Sequence, residues 1–177
     1  MKNIVGWWFT FSDESNEPLK LIIKELSEKY GDGQTFIPHL SFYTCADVEQ
    51  DEIQLVVNDL SRLVNAFKVK TKGIGFDKPT HKTLFIETEV NDSMMKVVNY
   101  MEEKFHKSYS FTPHVSLIYN ENLSYKDRRL LSPKIEFPKE IFIDSVSYLS
   151  PPVGKESSKY FEEWPEPVKV SLKGNFK

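Results

Sequence analysis

The sequence predicts an α+β fold: two pseudo-symmetric lobes, each an antiparallel sheet with helices on its outer face, and a central cleft between them. Two observations carry this. The phrase Pro-His-apolar-Ser-apolar occurs twice, as Pro38-His39-Leu40-Ser41-Phe42 and as Pro113-His114-Val115-Ser116-Leu117. The order strand, helix, His strand, helix, strand also occurs twice, over Ile4–Phe76 and over Lys82–Leu149. At 177 residues the chain fits one bilobal domain over 1–177, with lobe-like halves of approximately 1–80 and 81–177.

Taken in order, Ile4–Phe11 (IVGWWFTF) is apolar and aromatic and reads as a strand. Ser12-Asp13-Glu14-Ser15 is a turn or helix start, with acids where a helix N-terminus favours them. Leu19, Ile22, Ile23 and Leu26 recur at helical spacing over Pro18–Lys29, and Gly31-Asp32-Gly33 ends that helix. The first His strand is Phe36–Thr44. A helix over Val48–Phe67 follows, with Ile53, Leu55, Val56, Leu60, Leu63 and Val64 as its stripe. Strict alternation starts the strand Phe67–Phe76, with Lys68, Lys70 and Lys72 on one face; a solvated face explains them better than a phosphate stripe.

In the second half, Asp77–His81 is a turn and Lys82–Glu89 a strand. Ser93–His106 is a helix with Met94, Val97, Val98, Met101 and Phe105 inward. The second His strand runs over Ser110–Tyr119, and Tyr125–Leu131 is a short charged helix closed by Pro133, with Arg128 and Arg129 on a solvated face. Glu140–Leu149 and Val168–Leu172 are strands, joined by a proline-flanked loop around Trp164.

Composition narrows the function classes. A net charge of −3 argues against a general nucleic-acid coat, though not against a local phosphate site. One cysteine, Cys45, allows neither an intramolecular disulfide nor a Cys-based metal cage. No apolar run is long enough to span a bilayer and no secretory cleavage pattern opens the chain, so a cytoplasmic protein is expected, with no membrane partner. No HExxH, CxxC or GxSxG is present, which disfavours a metal hydrolase and a serine hydrolase; no metal and no cofactor are expected. Gly73-Ile74-Gly75 lacks the third glycine of a dinucleotide fingerprint.

Side chains on a strand alternate between faces, so His39 and Ser41 point one way and Leu40 and Phe42 the other; His114 and Ser116 repeat this. An imidazole changes charge near neutrality, so one can take a proton while another gives one up. In-line displacement at phosphorus needs both: a base for water, an acid for the departing oxygen, and donors such as Ser41 and Ser116 for the phosphoryl oxygens. Two opposed His–Ser pairs supply these parts if the two strands meet. His106 belongs to a helix C-terminus at the surface, and His81 lies at the mouth of a strand that could edge the cleft.

The paired tetrads His39-Leu40-Ser41-Phe42 and His114-Val115-Ser116-Leu117 resemble the signature of the 2H phosphoesterase superfamily. Phe36-Ile37-Pro38 before the first, Ile118-Tyr119 after the second, Trp7-Trp8 and the Trp164–Leu172 segment look most like its cyclic phosphodiesterase branch. Ser replaces the commoner Thr in both tetrads, which keeps the hydroxyl. The resemblance implies a hydrolase that opens a nucleoside 2′,3′-cyclic phosphate or ADP-ribose 1″,2″-cyclic phosphate to a monoester, usually of the 2′ type, without metal. It implies His39 and His114 as the catalytic acid–base pair, left unassigned between base and acid, and Ser41 and Ser116 as phosphate-binding residues. Tyr119 and one of Trp7 and Trp8 would touch substrate, since alternation lets only one tryptophan face the cleft. The expected partner is a small cyclic-phosphate nucleotide, with RNA ends as a second possibility, and the expected state is a monomer. Within the superfamily the alternatives are an enzyme of RNA ends, 2′–5′ RNA ligase-like, or of cyclic oligonucleotides. Outside it the alternative is a non-catalytic nucleotide-binding module.

Overall fold

In the computed structural model, which describes residues 4–31, 35–78, 82–155 and 162–174, the periodic stretches become seven strands and four α-helices. In chain order they are β1 (Ile4–Phe11), α1 (Asp13–Tyr30), β2 (Leu40–Ala46), α2 (Gln50–Leu63), β3 (Phe67–Gly75), β4 (Leu84–Thr88), α3 (Asp92–Phe105), β5 (His114–Ile118), α4 (Tyr125–Leu131), β6 (Glu140–Leu149) and β7 (Val168–Ser171). Asp32, Gly33, Pro79, His81 and residues 156–161 of the late loop lie outside the described residues.

The fold is α+β with antiparallel pairing, as expected, but the strands form one connected sheet rather than one per lobe. Its order is β2-β1-β6-β3-β4-β5, with β7 also on β6. Strand β6, from the second half of the chain, sits between β1 and β3 of the first, so the two halves interleave. Strand β3 serves two neighbours. Its first part, Phe67–Lys70, pairs with β6; its later part, Thr71–Gly75, pairs with β4 across an irregularity between Thr71 and Gly73. An irregular register of this kind bends and twists a strand. The end strands β2 and β5 approach one another, and the cleft lies there. Helix α1 packs on β5 and α3 on β2, so each half supplies the helix beneath the other's His strand.

One reading left open in the sequence is resolved and two others are corrected. Helix α1 starts at Asp13, five residues before Pro18: Ser12 caps it by accepting from the Ser15 amide at 3.4 Å, and the acids Asp13 and Glu14 suit its first turn. In α2 the inward residues are Ile53, Val56, Val57 and Leu60, while Leu55 is 57% exposed. Arg128 is not on a solvated face. It is buried and donates to the carbonyls of Leu123 at 2.8 Å, Asn120 at 3.3 Å and Asp77, pinning α4 to the turns beside Tyr119. Arg129 is exposed, as are Lys68, Lys70 and Lys72, and Lys68 pairs with Glu140 at 2.7 Å. His106 caps α3 in the left-handed region.

Candidate active site

The two proline phrases begin where ladder pairing cannot. Proline has no N–H to donate, and it holds the residue before it in extended backbone. Strand β2 accordingly starts at Leu40 and β5 at His114, later than the sequence suggested. Both histidines use the irregular segment in the same way. His39 Nδ1 donates to the carbonyl of Ile37 at 2.7 Å, and His114 Nδ1 donates to the carbonyl of Thr112 at 2.8 Å. A carbonyl only accepts, so in both rings Nδ1 carries hydrogen and proton exchange falls to Nε2.

His39, Ser41, His114, Ser116, Tyr119 and Trp8 line one cleft of about 740 Å³. The opposite faces hold Leu40, Phe42, Val115 and Leu117 in the core, each no more than 1% exposed. Alternation therefore places the two histidines and the two serines on the faces read from sequence. It fails three residues after each histidine. The β1–β2 register runs from Trp8↔Ser41 to Trp7↔Tyr43 and skips Phe42; the β4–β5 register runs from Phe85↔Ser116 to Leu84↔Ile118 and skips Leu117. Each His strand thus carries one extra residue at the same place. The extra residue turns the fifth position after each histidine, Thr44 and Tyr119, into the cleft.

Trp8 faces the cleft and Trp7 does not. The Trp7 indole is fully buried, donates Nε1 to Cys45 Sγ at 3.3 Å and packs on Tyr148, so its substrate-binding role is withdrawn. Trp8 stacks on His39, with ring centroids 3.8 Å apart and planes 17° from parallel, and Phe36 meets the same imidazole edge-on. This apolar packing lowers the His39 pKa from 6.5 to about 4, chiefly by desolvation; the bond to Ile37 opposes the shift, and the positive charge of His114 adds to it. His39 is therefore neutral at pH 7. Ser116 is hydrogen-bonded to Tyr119, whose pKa burial raises to about 12, so Tyr119 keeps its proton.

Other residues in or beside the cleft are not among the candidate site residues read from the sequence. Phe85 stands edge-on to His114 at 5.1 Å. Lys82 lines the cleft and donates to Thr112 Oγ1 at 3.4 Å. Trp164 lies 6.4 Å from Trp8, ring to ring. Glu87 is opposite His114 in the ladder but does not line the cleft. Among the described residues, no three His, Cys, Asp or Glu side chains group as metal ligands, and no helix is long and apolar enough to cross a membrane.

Comparison with known proteins extends these observations. The sequence model of the family described as "Cyclic phosphodiesterase-like protein" matches residues 4–145. No curated protein matches significantly. Among solved structures, TT0787 of Thermus thermophilus superposes with a TM-score of 0.58 at 15% identity, covering 96% of this chain and 95% of that one. Escherichia coli LigT complexed with NADP+ gives 0.57 at 10% identity, covering 98% and 100%. Kluyveromyces marxianus Usb1 gives 0.52 at 12%, covering 96% and 98%. At these identities the likeness is one of fold.

Proposed function

Because the chain belongs to the cyclic phosphodiesterase-like family, we propose that it hydrolyses a nucleoside 2′,3′-cyclic phosphate or a related ribose cyclic phosphate to a monoester, using two histidines and no metal. The observation that carries the reading is the matched pair of imidazoles on one cleft, each locked by Nδ1 to a backbone carbonyl and each followed on the same face by a serine. Simple binding of a nucleotide has no use for two such rings.

His39, neutral at pH 7, takes the base role left open by the sequence: its Nε2 accepts a proton from water as the water oxygen attacks phosphorus. The ring P–O bond breaks on the far side, and His114 gives its Nε2 proton to the departing ribose oxygen. Ser41 and Ser116 donate to the non-bridging oxygens, whose charge grows in the transition state. The Tyr119 hydroxyl, hydrogen-bonded to Ser116, holds that side chain at the cleft wall. Afterwards His39 holds the extra proton and His114 lacks one, and exchange with solvent resets the pair. The shared backbone bonds and the bulge repeated after each histidine support two pseudo-symmetric lobes as the frame. Escherichia coli LigT has been solved with NADP+ and with 3′-AMP, which supports a nucleotide as the ligand class here.

The test is direct. Purified protein is incubated with EDTA and each cyclic mononucleotide or ADP-ribose 1″,2″-cyclic phosphate, and monoester release is followed. Turnover in EDTA is expected; none with any cyclic phosphate, or turnover abolished by EDTA, overturns the proposal.

A further inference from the structure

The two ends of the cleft differ in chemistry, and strand register says which is which. Residues 35–37 precede His39 and Tyr119 follows His114. With Trp8 and Trp164 they line a lobe of about 250 Å³, in which Phe36 and Tyr119 rings lie 4.3 Å apart. That end is aromatic, and its charged lining residues are Glu162 and Glu166. Thr44 follows Ser41, and Tyr109, Ser110 and Thr112 precede His114, so these four mark the opposite end. There Thr44 is hydrogen-bonded to Tyr109. Thr44 and Tyr119 are the equivalent fifth positions after the two histidines, so the repeat places a small hydroxyl residue at one end and an aromatic at the other.

Lys82 decides what the polar end takes. Its ammonium reaches Thr112, passes the Phe85 ring at 6.0 Å from the centroid, and makes no ion pair among the described residues. Apart from Glu162 and Glu166 at the aromatic end, no Asp or Glu lines the cleft among the described residues. A 2′,3′-cyclic phosphate leaves the ribose with two outward substituents, the base at C1′ and the group at C5′. Stacking suits the base to the aromatic end, where Glu162 and Glu166 would repel an anion. The C5′ group is then directed to Lys82.

Resting on the cyclic phosphodiesterase reading, we propose that the polar end, with Lys82 as its cation and Thr112 beside it, is a second anion subsite that holds a phosphate on C5′ of the substrate ribose. The preferred substrates are then doubly phosphorylated: a free nucleotide cyclic phosphate carrying a 5′-phosphate, or a cyclic-phosphate RNA end carrying a 5′-phosphodiester.

The experiment measures kcat/KM for adenosine 2′,3′-cyclic phosphate, for its 5′-phosphate, and for a dinucleotide ending in 2′,3′-cyclic phosphate, in wild type, Lys82→Met and Lys82→Arg. One charge-assisted contact is expected to favour at least one 5′-phosphorylated substrate by about tenfold in wild type. Lys82→Met should bring that ratio close to one and Lys82→Arg should keep most of it. Whichever phosphorylated substrate shows the larger ratio identifies the source. A wild-type ratio near one, a ratio unchanged in Lys82→Met, or an equal loss on all substrates overturns the subsite. Calorimetric binding of adenosine 2′-phosphate and adenosine 2′,5′-bisphosphate reads the same ratio without turnover. A protein that hydrolyses nothing yet shows a Lys82-dependent preference refutes the enzymatic reading while sustaining the subsite.

Discussion

Replacing Trp8 by Leu should move the acid limb of the kcat/KM profile upward. The indole covers one face of His39 at a centroid distance of 3.8 Å. Two effects of this stack oppose each other. Desolvation disfavours the imidazolium, while the indole face attracts a cation, worth about 0.5–2 kcal/mol. Desolvation is the largest cause of the displacement from 6.5 to about 4, and the prediction rests on it. A depressed base pKa means that activity is retained above that value and lost as pH falls through it. Exposing one face of the ring to water while Phe36 and His114 stay in place should restore less than half of the displacement. The limb then rises by roughly one pH unit, equivalent to about 1.4 kcal/mol. The assay is initial-rate hydrolysis of a nucleoside 2′,3′-cyclic phosphate from pH 3.5 to 8, with the fold checked by circular dichroism at each end. A limb that stays near pH 4 in Trp8→Leu, or moves lower, refutes the assignment of His39 as a base tuned by this stack.

Other residues give independent checks. Tyr119→Phe removes the partner of Ser116 and should lower kcat about three- to tenfold without changing the shape of the pH profile, because the Tyr119 proton is held up to about pH 12; a new or shifted limb would contradict this. Gly75 lies against Phe85, and a Cβ there would fall 2.4 Å from the ring that packs on His114, whereas one at Gly73 would meet nothing within 4 Å. Gly75→Ala should therefore cost about 1–3 kcal/mol in urea unfolding and depress kcat, with Gly73→Ala as the milder control; equal effects would argue against the Phe85 contact. Arg128→Met strips buried donors from the carbonyls of Leu123, Asn120 and Asp77 and should destabilise by about 2–5 kcal/mol, with Arg128→Lys a poor rescue because an ammonium lacks the fork.

Much of the site was legible because the strand period is two. That period alone puts His39 and Ser41, and His114 and Ser116, on faces opposite Leu40, Phe42, Val115 and Leu117. The proximity of the two strands was not legible, since it depends on the bend at β3 and on β6 crossing into the first half. The bulges after Ser41 and Ser116 were hidden for a related reason. A run such as Phe42-Tyr43 or Leu117-Ile118 fits either strict alternation with one aromatic or apolar residue outward, or an extra residue with both inward. Packing chose the second, and so put Thr44 in the cleft in place of Tyr43. Trp7 and Trp8 presented the same ambiguity, resolved by the Trp7–Cys45 bond in the core. Arg128 looked like a surface charge because its three carbonyl partners come from turns that periodicity does not describe. Lys82 opens a strand with no motif around it, and only the fold brings it to the cleft.

The central claim is that two histidines act as one acid–base unit. The measurement that tests it most directly is single-turnover hydrolysis of a 2′,3′-cyclic nucleotide in EDTA by wild type, His39→Ala, His114→Ala and the double variant. Each single variant should lose about a hundred- to ten-thousandfold, and the double variant should lose little more than either, because removing one partner already disables the unit. Near-wild-type turnover in either single variant would contradict the account.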